Sequence, residues 1–318
     1  MTMKTLLTLF IALFATAGFS QPYPSKPIRM VVAFPPGGPV DIIARLLAPK
    51  LIDALGQQVV VENRAGAGGN VPASQVAKAP ADGYTILAHS SAYAVNPSLT
   101  PNAGYDAEKD FVPVAIVAAQ PNLIIVHADF PARSLSELIS LAKKQSLAYA
   151  SPSSGTTPHL TAENLFRVRA GVDITHVPFK GGGPATAAVL GGQPPIGSMA
   201  AGGPMSNLKA GKLRALAVSA SRRIPQLPDV PTFGELGYPG MEDYTWVGMF
   251  VPAGTPAEIV QKLNDAVLRA VQSPEVKERL DALAFEVTAQ PLRETAAYVR
   301  TELVKWAKVV RDTGAKPD

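Results

Sequence analysis

Strand-like and helix-like segments alternate along this 318-residue chain, and that alternation limits the possible folds more than any single motif does. IRMVVAF is followed by VDIIARLLAPKLIDALG, then QQVVVEN, then a Gly-rich turn with VPASQVAKA, then YTILAHS. β-Branched runs separated by amphipathic segments predict a parallel sheet with right-handed helical crossovers and helices on both faces. The same grammar restarts after position 130. ARSLSELISLAKK opens with a capping box from Ser134 to Glu137, LAYASP is a short strand, TPHLTAENLFRVRAG a helix closed by Gly171, and DITHVPF another strand. PATAAVLGG, PPIGSMA, MSNLKAGK and LRALAVSA follow as helix, strand, helix and strand.

Two extended segments lack helical spacing. FVPVAIVAAQPNLIIVHAD is interrupted by Gln120, Pro121 and Asn122 and reads as two strands; MEDYTWVGMFVPAG is the other segment. They are read as paired strands crossing between domains. Beyond them the tail is helical. Thr255 is the expected N-cap, Pro256 the first helical residue and Glu258 the closing member of a capping box, with Ile259, Leu263, Val267 and Val271 on one face. A last helix carries Val299, Leu303, Trp306 and Val310. The expected architecture is α/β with two domains, each a mostly parallel sheet flanked by helices. Domain 1 is discontinuous, residues 21–120 plus 248–318, and domain 2 is inserted at 121–247.

The first residues, MTMKTLLTLFIALFATAGFSQ, place Lys4 ahead of an apolar run from Leu6 to Ala17, with Gly18 and Ser20 behind it. The run is too short to cross a bilayer, and the small residues fit a cleavage site. A secretory signal peptide over residues 1–20, cut near Ser20/Gln21, is therefore expected, followed by a mature chain without a membrane span. The chain has no cysteine, which excludes disulfides, thiolate metal sites and a cysteine nucleophile. The formal net charge is only +4, and Lys and Arg are scattered, so no nucleic-acid surface is expected.

Three strand-to-helix junctions share one build. Gly37 and Gly38 precede Pro39; SPSSGTT runs into Pro158; Phe179, Lys180 and three glycines run into Pro184. Small residues before a helix-starting proline leave N–H groups free and let a ligand approach the backbone. In a parallel α/β sheet all such junctions lie at the carboxyl ends of strands, where ligands bind. A cleft between two domains is the expectation.

Enzyme signatures are weak. IGSMAAG has the wrong spacing for a nucleophile elbow, Gly211 and Lys212 lead into Leu213 and not into a Walker serine or threonine, and RAGAGGNV lacks the third glycine of a dinucleotide fingerprint. His159 and Glu163 stand i, i+4 on one helix, a spacing open to a metal but here read as a solvated helical contact without a third ligand. His176 reads as a half-buried strand residue. No metal and no cofactor are expected. The alternative to a binding protein is an exported hydrolase using Ser154 or Thr157 with His159.

FPPGGPVDIIARLLAPKL, VVVENRAGAGGN, ADGYTILAHSS, SGTTPHLTAENLF, DITHVPFKGGGPA, LPDVPTFGELG and WVGMFVPAGTPAEIVQKLN, in this order, resemble the Bug-type extracytoplasmic solute receptors of tripartite tricarboxylate transporters. The resemblance spans the whole mature chain. It implies a type II-like periplasmic binding protein whose crossing strands form a hinge and whose cleft closes on a small organic carboxylate. It also implies a periplasmic location and handover to the membrane components of a transporter, or to a sensor kinase. Carried over by position, it nominates Phe34, Gly37, Gly38, Val40 and Asp41 in the first junction and Ser90 and Ser91 after a strand. It further nominates Ser154, Gly155, Thr156, Thr157 and His159, then Lys180, Gly181 and Gly182. The chain departs from the family pattern at Val40, where a small hydroxyl residue is common, and at QPPIGSMAAGGP, where Met199 and Ala200 replace polar side chains. Both departures make the expected cleft less polar.

Overall fold

A computed structural model describes residues 22–317, so the signal-peptide reading lies outside the described residues. Strand β1 (Ile28–Val32) leads into helix α1 (Pro39–Leu55), followed by β2 (Val59–Asn63), α2 (Asn70–Ala77), β3 (Thr85–Ser90) and α3 (Ala92–Leu99). Next come β4 (Phe111–His127), α4 (Leu135–Ala142), β5 (Ala148–Ser151), and α5 (Thr157–Glu163), which runs on as a π-helical segment, Asn164–Arg169. Then follow β6 (Thr175–Pro178), α6 (Gly182–Leu190), β7 (Ile196–Ala200), α7 (Met205–Lys209) and β8 (Leu213–Val218). The chain closes with β9 (Tyr244–Pro252), α8 (Ala257–Val271), α9 (Pro274–Ala282), β10 (Glu286–Val287) and α10 (Leu292–Thr313).

The strands run in the order β2-β1-β3-β9-β4-β7-β5-β6, with β8 and β10 also paired to β4. β1, β2 and β3 are parallel, as are β5, β6 and β7, while β9 is antiparallel to both of its neighbours. Strand β4 serves two sheets. From Phe111 to Pro121 it pairs with β9, and from Asn122 onward it lies between β7 and β8. We call the β1–β3 side the first lobe and the β5–β8 side the second.

The period of two along each strand distributes side chains to separate cores. In β1, Met30 and Val32 face one cluster with α1 and α8, whereas Val31 faces another with α3 and α10. In β9, Val247 and Met249 join the first and Trp246 and Phe250 the second. The second lobe has its own pair: Ile124 and Val126 pack toward α4 and α5, Leu123 and Ile125 toward α6 and α7.

Three local expectations are corrected. The segment read as two strands is one strand of 17 residues. Its polar interruption is where partners change. Pro121 has no N–H to place, its carbonyl accepts the Ala201 N–H at 2.9 Å, and the Asn122 N–H donates to Ser219 Oγ at 2.8 Å. The cap of α8 is Pro256 with ψ 136°, not Thr255, because the Thr255 hydroxyl donates to the Pro252 carbonyl at 2.7 Å. Helix α6 begins at Gly182, two residues ahead of Pro184. Half of the box at α4 is as expected, with Ser134 Oγ accepting from the Glu137 N–H, while the Glu137 carboxylate accepts from the Arg133 N–H and not from that of Ser134.

Candidate ligand-binding cleft

The loops entering α1, α5 and α6 all leave carboxyl ends of parallel strands, and they meet across a cleft of about 770 Å³ of empty space that opens to solvent. The first lobe contributes Phe34 to Val40 and Ser90. The second contributes Pro152, Thr156, Pro158, Gly181 to Pro184, Thr186, Met199, Ala200 and Gly203, and the crossing strand β9 contributes Thr245. The lobes nearly touch at one rim, where a Cβ on Gly181 would stand 3.4 Å from the Pro35 ring.

Helix α1 starts without a side-chain cap, because its N-cap is Gly38. The first-turn N–H groups therefore lack intrahelical partners and face the cleft wall. Gly37 holds φ +83°, a left-handed conformation that suits glycine. Asp41, 4% exposed, fixes this loop from behind: its Oδ2 accepts the Gly37 N–H at 2.9 Å, and its Oδ1 accepts from Arg45 Nε at 2.9 Å and Asn63 Nδ2 at 2.8 Å. Both carboxylate oxygens are engaged by these groups, and Asp41 does not line the cleft.

Across the cleft, α6 also starts at a glycine N-cap, Gly181, with no side-chain cap. Gly182 and Gly183 present free first-turn N–H groups there, and Pro184 has none to present. Thr156 is the N-cap of α5, and its Oγ1 donates to the Ser153 carbonyl at 2.8 Å.

Of the residues nominated from sequence, Phe34, Gly37, Gly38, Val40, Ser90, Thr156, Gly181 and Gly182 line this cleft. Asp41, Ser91, Ser154, Gly155, Thr157, His159 and Lys180 do not. Ser91 and Thr157 are buried behind it, Oγ to Oγ1 at 2.9 Å, and Thr157 continues to Thr245 Oγ1 at 2.8 Å. Ser154 Oγ is buried without a partner, and the Gly155 N–H reaches His159 Nδ1 at 3.3 Å. Lys180 lines an adjoining groove with Ser153 and Gly66 to Gly69.

Among the described residues no charged side chain lines this part of the cleft; Lys180 lines the groove that joins it at Phe34, Pro35, Pro152 and Gly181. Two nearby histidines supply no charge near neutral pH: burial pushes His89 down to about 4, and burial, helped by His176 and Arg167, pushes His159 down to about 3. Anion binding therefore falls to backbone N–H groups, helix dipoles and hydroxyls. Phe34, Val40, Met199 and the prolines offer an apolar wall between the two helix starts.

The His159 and Glu163 pair is not a solvated contact. Both are 3% exposed and have separate partners: Glu163 accepts from the Tyr149 hydroxyl at 2.7 Å and pairs with Arg167 at 3.0 Å, while His159 stacks on His176 with ring centroids 4.0 Å apart. Neither Ser154 nor Thr157 hydrogen-bonds His159, so the hydrolase arrangement lacks its nucleophile–base bond. Among the described residues no three metal-ligating side chains cluster.

Sequence reasoning did not nominate Thr186 or Thr245. Thr186 stands four residues after Gly182, so on a helix it lies over the same face as the free first turn. That spacing is the signal that points to it. Thr245 carries no such signal, because its place depends on the pairing of β9 with β4, where it faces Gln120.

Residues 43–315 match the family model described as the tripartite tricarboxylate transporter family receptor. The protein BugT of Bordetella pertussis is 41% identical over 328 residues, covering 99% of each chain. Among solved structures, the periplasmic binding protein BugD superposes with a TM-score of 0.88 at 36% identity, covering 93% of this chain and 100% of that one. The R. palustris protein Rpa4515 with adipate gives a TM-score of 0.88 at 35% identity, with 93% and 100% covered. Among the described residues, no helix is long and apolar enough to cross a membrane.

Proposed function

Because the chain belongs to the tripartite tricarboxylate transporter receptor family and has the two-domain fold of periplasmic binding proteins, we propose that it captures a plain di- or aromatic carboxylate in its interdomain cleft. One observation carries this reading: two uncapped helix starts, at Gly38 and Gly181, face each other across a cleft with apolar walls and no charged side chain between them. Free N–H groups at both ends suit carboxylate oxygens. The wall between them suits an aliphatic or aromatic body, and an ammonium group would find no carboxylate to pair with there. A relative of the same fold was solved with adipate, a ligand of this class.

On this reading the protein acts in the periplasm after loss of residues 1–20 near Ser20/Gln21. Residues 21–120 with 248–318 form one domain, and 121–247 the other. Closure about β4 and β9 traps the acid, which passes unchanged to the membrane components of a tripartite tricarboxylate transporter or signals to a sensor kinase. The ligand contacts are Gly38, Val40, Thr156, Gly182 and their cleft neighbours. A receptor returns its ligand intact. A thermal-shift screen of mono-, di- and tricarboxylates and aromatic acids, followed by chromatography of the recovered acid, tests the reading. A ligand at about 100 times its Kd adds roughly 2.7 kcal/mol of stability. Failure of every acid to raise Tm, or chemical conversion of the acid, contradicts it.

A further inference from the structure

Four hydroxyl side chains line the cleft, and their hydrogen-bonding states differ. Thr156 donates to the Ser153 carbonyl, Thr245 to Asn122 Oδ1, and Ser90 Oγ accepts the Ala92 N–H. Thr186 Oγ1 is buried and makes no hydrogen bond, on a residue only 6% exposed.

Among the described residues Ser154 and Ser273 also hold buried hydroxyls without a partner, but of the four hydroxyls that line the cleft only that of Thr186 is idle. A threonine inside a helix can satisfy itself by donating to the carbonyl four residues back. Thr161 does so to Thr157 at 2.8 Å, Thr301 to Ala297 at 3.1 Å and Thr313 to Val309 at 2.8 Å. Thr186 makes no such bond to Gly182. A buried polar group left unpaired destabilises the fold, and a site that holds one is poised for something that is not part of the chain.

We propose that Thr186 is a specificity-determining residue, whose hydroxyl donates to the carboxylate at the second-lobe end of a dicarboxylate. The assignment rests on the carboxylate-receptor reading above. One carboxylate occupies the start of α1, and the other reaches the start of α6. There Gly182, Gly183 and Thr186 all line the cleft, with the Thr186 hydroxyl just beneath its surface. A monocarboxylate of equal length brings only a methyl group to this end and leaves the hydroxyl unpaired. Discrimination between the two acids then follows from the penalty on the site's own polar groups, the mechanism by which a hydrogen-bonding site rejects an analogue lacking the bonded atom.

The test compares adipate with hexanoate on wild type, Thr186→Val and Thr186→Ser by calorimetry, with melting curves of each protein without ligand. Thr186→Val, which keeps the shape and removes the hydroxyl, should weaken adipate about tenfold or more, leave hexanoate within about twofold, and melt no lower than wild type when unliganded. Thr186→Ser should retain adipate binding. Equal adipate affinity in wild type and Thr186→Val, equal loss of both acids, or a lower unliganded melting temperature for Thr186→Val would overturn the assignment alone. If wild type binds neither acid, the same comparison is made with the dicarboxylate that raises Tm most and the monocarboxylate of equal length; a wild-type protein that binds no acid at all overturns the receptor reading, and the assignment with it.

Discussion

Asn122 and Asp243 meet where the crossing strands change lobes, with the Asn122 side-chain amide donating to Asp243 Oδ1 at 2.6 Å. The one Thr161 hydroxyl proton is shared between the other carboxylate oxygen and the Thr157 carbonyl, each at 2.8 Å, and Ser219 Oγ donates to the Asp243 carbonyl. From Asn122 the chain of bonds continues through Thr245 and Thr157 to Ser91. The place where the chain changes lobes is thus a buried polar network, and its members come from both lobes and from β4 and β9.

This network makes stability depend on pH in a definite direction. Burial raises the Asp243 carboxyl from 3.8 to about 6, against the opposing effects of Lys305 and the hydrogen bonds from Thr161, Asn122 and Ser219. The folded state therefore holds the proton more tightly than the unfolded one. The stabilisation is complete below pH 3.8 and is lost as pH rises through about 6. Asp243→Asn removes the titration. Wild type should lose stability relative to this variant between pH 4 and pH 7, by something on the order of 3 kcal/mol. Denaturant melts of both proteins across that range check it; a constant difference would contradict the proposed charge state.

Substitutions at Gly37 and Gly38 should separate folding from binding. Gly38 is extended, with φ −84°, and a Cβ there would meet only the Pro35 carbonyl at 3.7 Å. Gly38 is buried, but a Cβ there meets no close atom, so Gly38→Val is expected to fold with a loss of no more than about 1 kcal/mol, yet to block carboxylate approach to α1 and weaken binding. Gly37→Val must take up φ +83° and should cost about 1–2 kcal/mol of stability. Calorimetry and melting of the two variants decide the matter, and undiminished binding by Gly38→Val would move the clamp elsewhere.

Glu302 ties the last helix to the crossing strand. Its Oε2 accepts the indole N–H of both Trp246 and Trp306 at 2.9 Å, and both rings are buried. Glu302→Ala strands two buried donors and should destabilise by about 3 kcal/mol. Glu302→Gln, which keeps an acceptor, should lose much less. Equal losses in denaturant titrations would show that the carboxylate bonds matter less than the packing.

Strand β4 runs from one lobe into the other and the chain returns where Asp243 enters β9, and rotation about Gln120 to Asn122 and Tyr244 to Thr245 is the motion expected on binding. Small-angle scattering should give a smaller radius of gyration with a saturating acid. An unchanged radius at proven saturation argues for a fixed cleft.

The strand and helix alternation was legible because Met30, Val31 and Val32 face alternate cores and the glycine–proline junctions mark the helix starts. The continuity of β4 was not. Gln120, Pro121 and Asn122 break an apolar pattern, and only the tertiary partners Gly202, Ala201 and Ser219 explain why a strand runs through them. In the cleft, sequence identified the loops but not which side chains face inward. Asp41 and Thr157 belong to the right loops and turn away, each bonded to groups distant in sequence, Asn63 and Thr245. Thr186 faces in from one helical turn further along.

The central claim is that a cleft without charged side chains between its two helix starts selects carboxylates and excludes ammonium groups. Calorimetry of the wild-type protein with succinate, glutarate, adipate and a benzene dicarboxylate, against aspartate and glutamate, tests it most directly. At least one plain dicarboxylate should bind about tenfold or more tightly than either amino acid, as expected when an ammonium group is buried without a partner. Tighter binding of aspartate or glutamate would contradict the account.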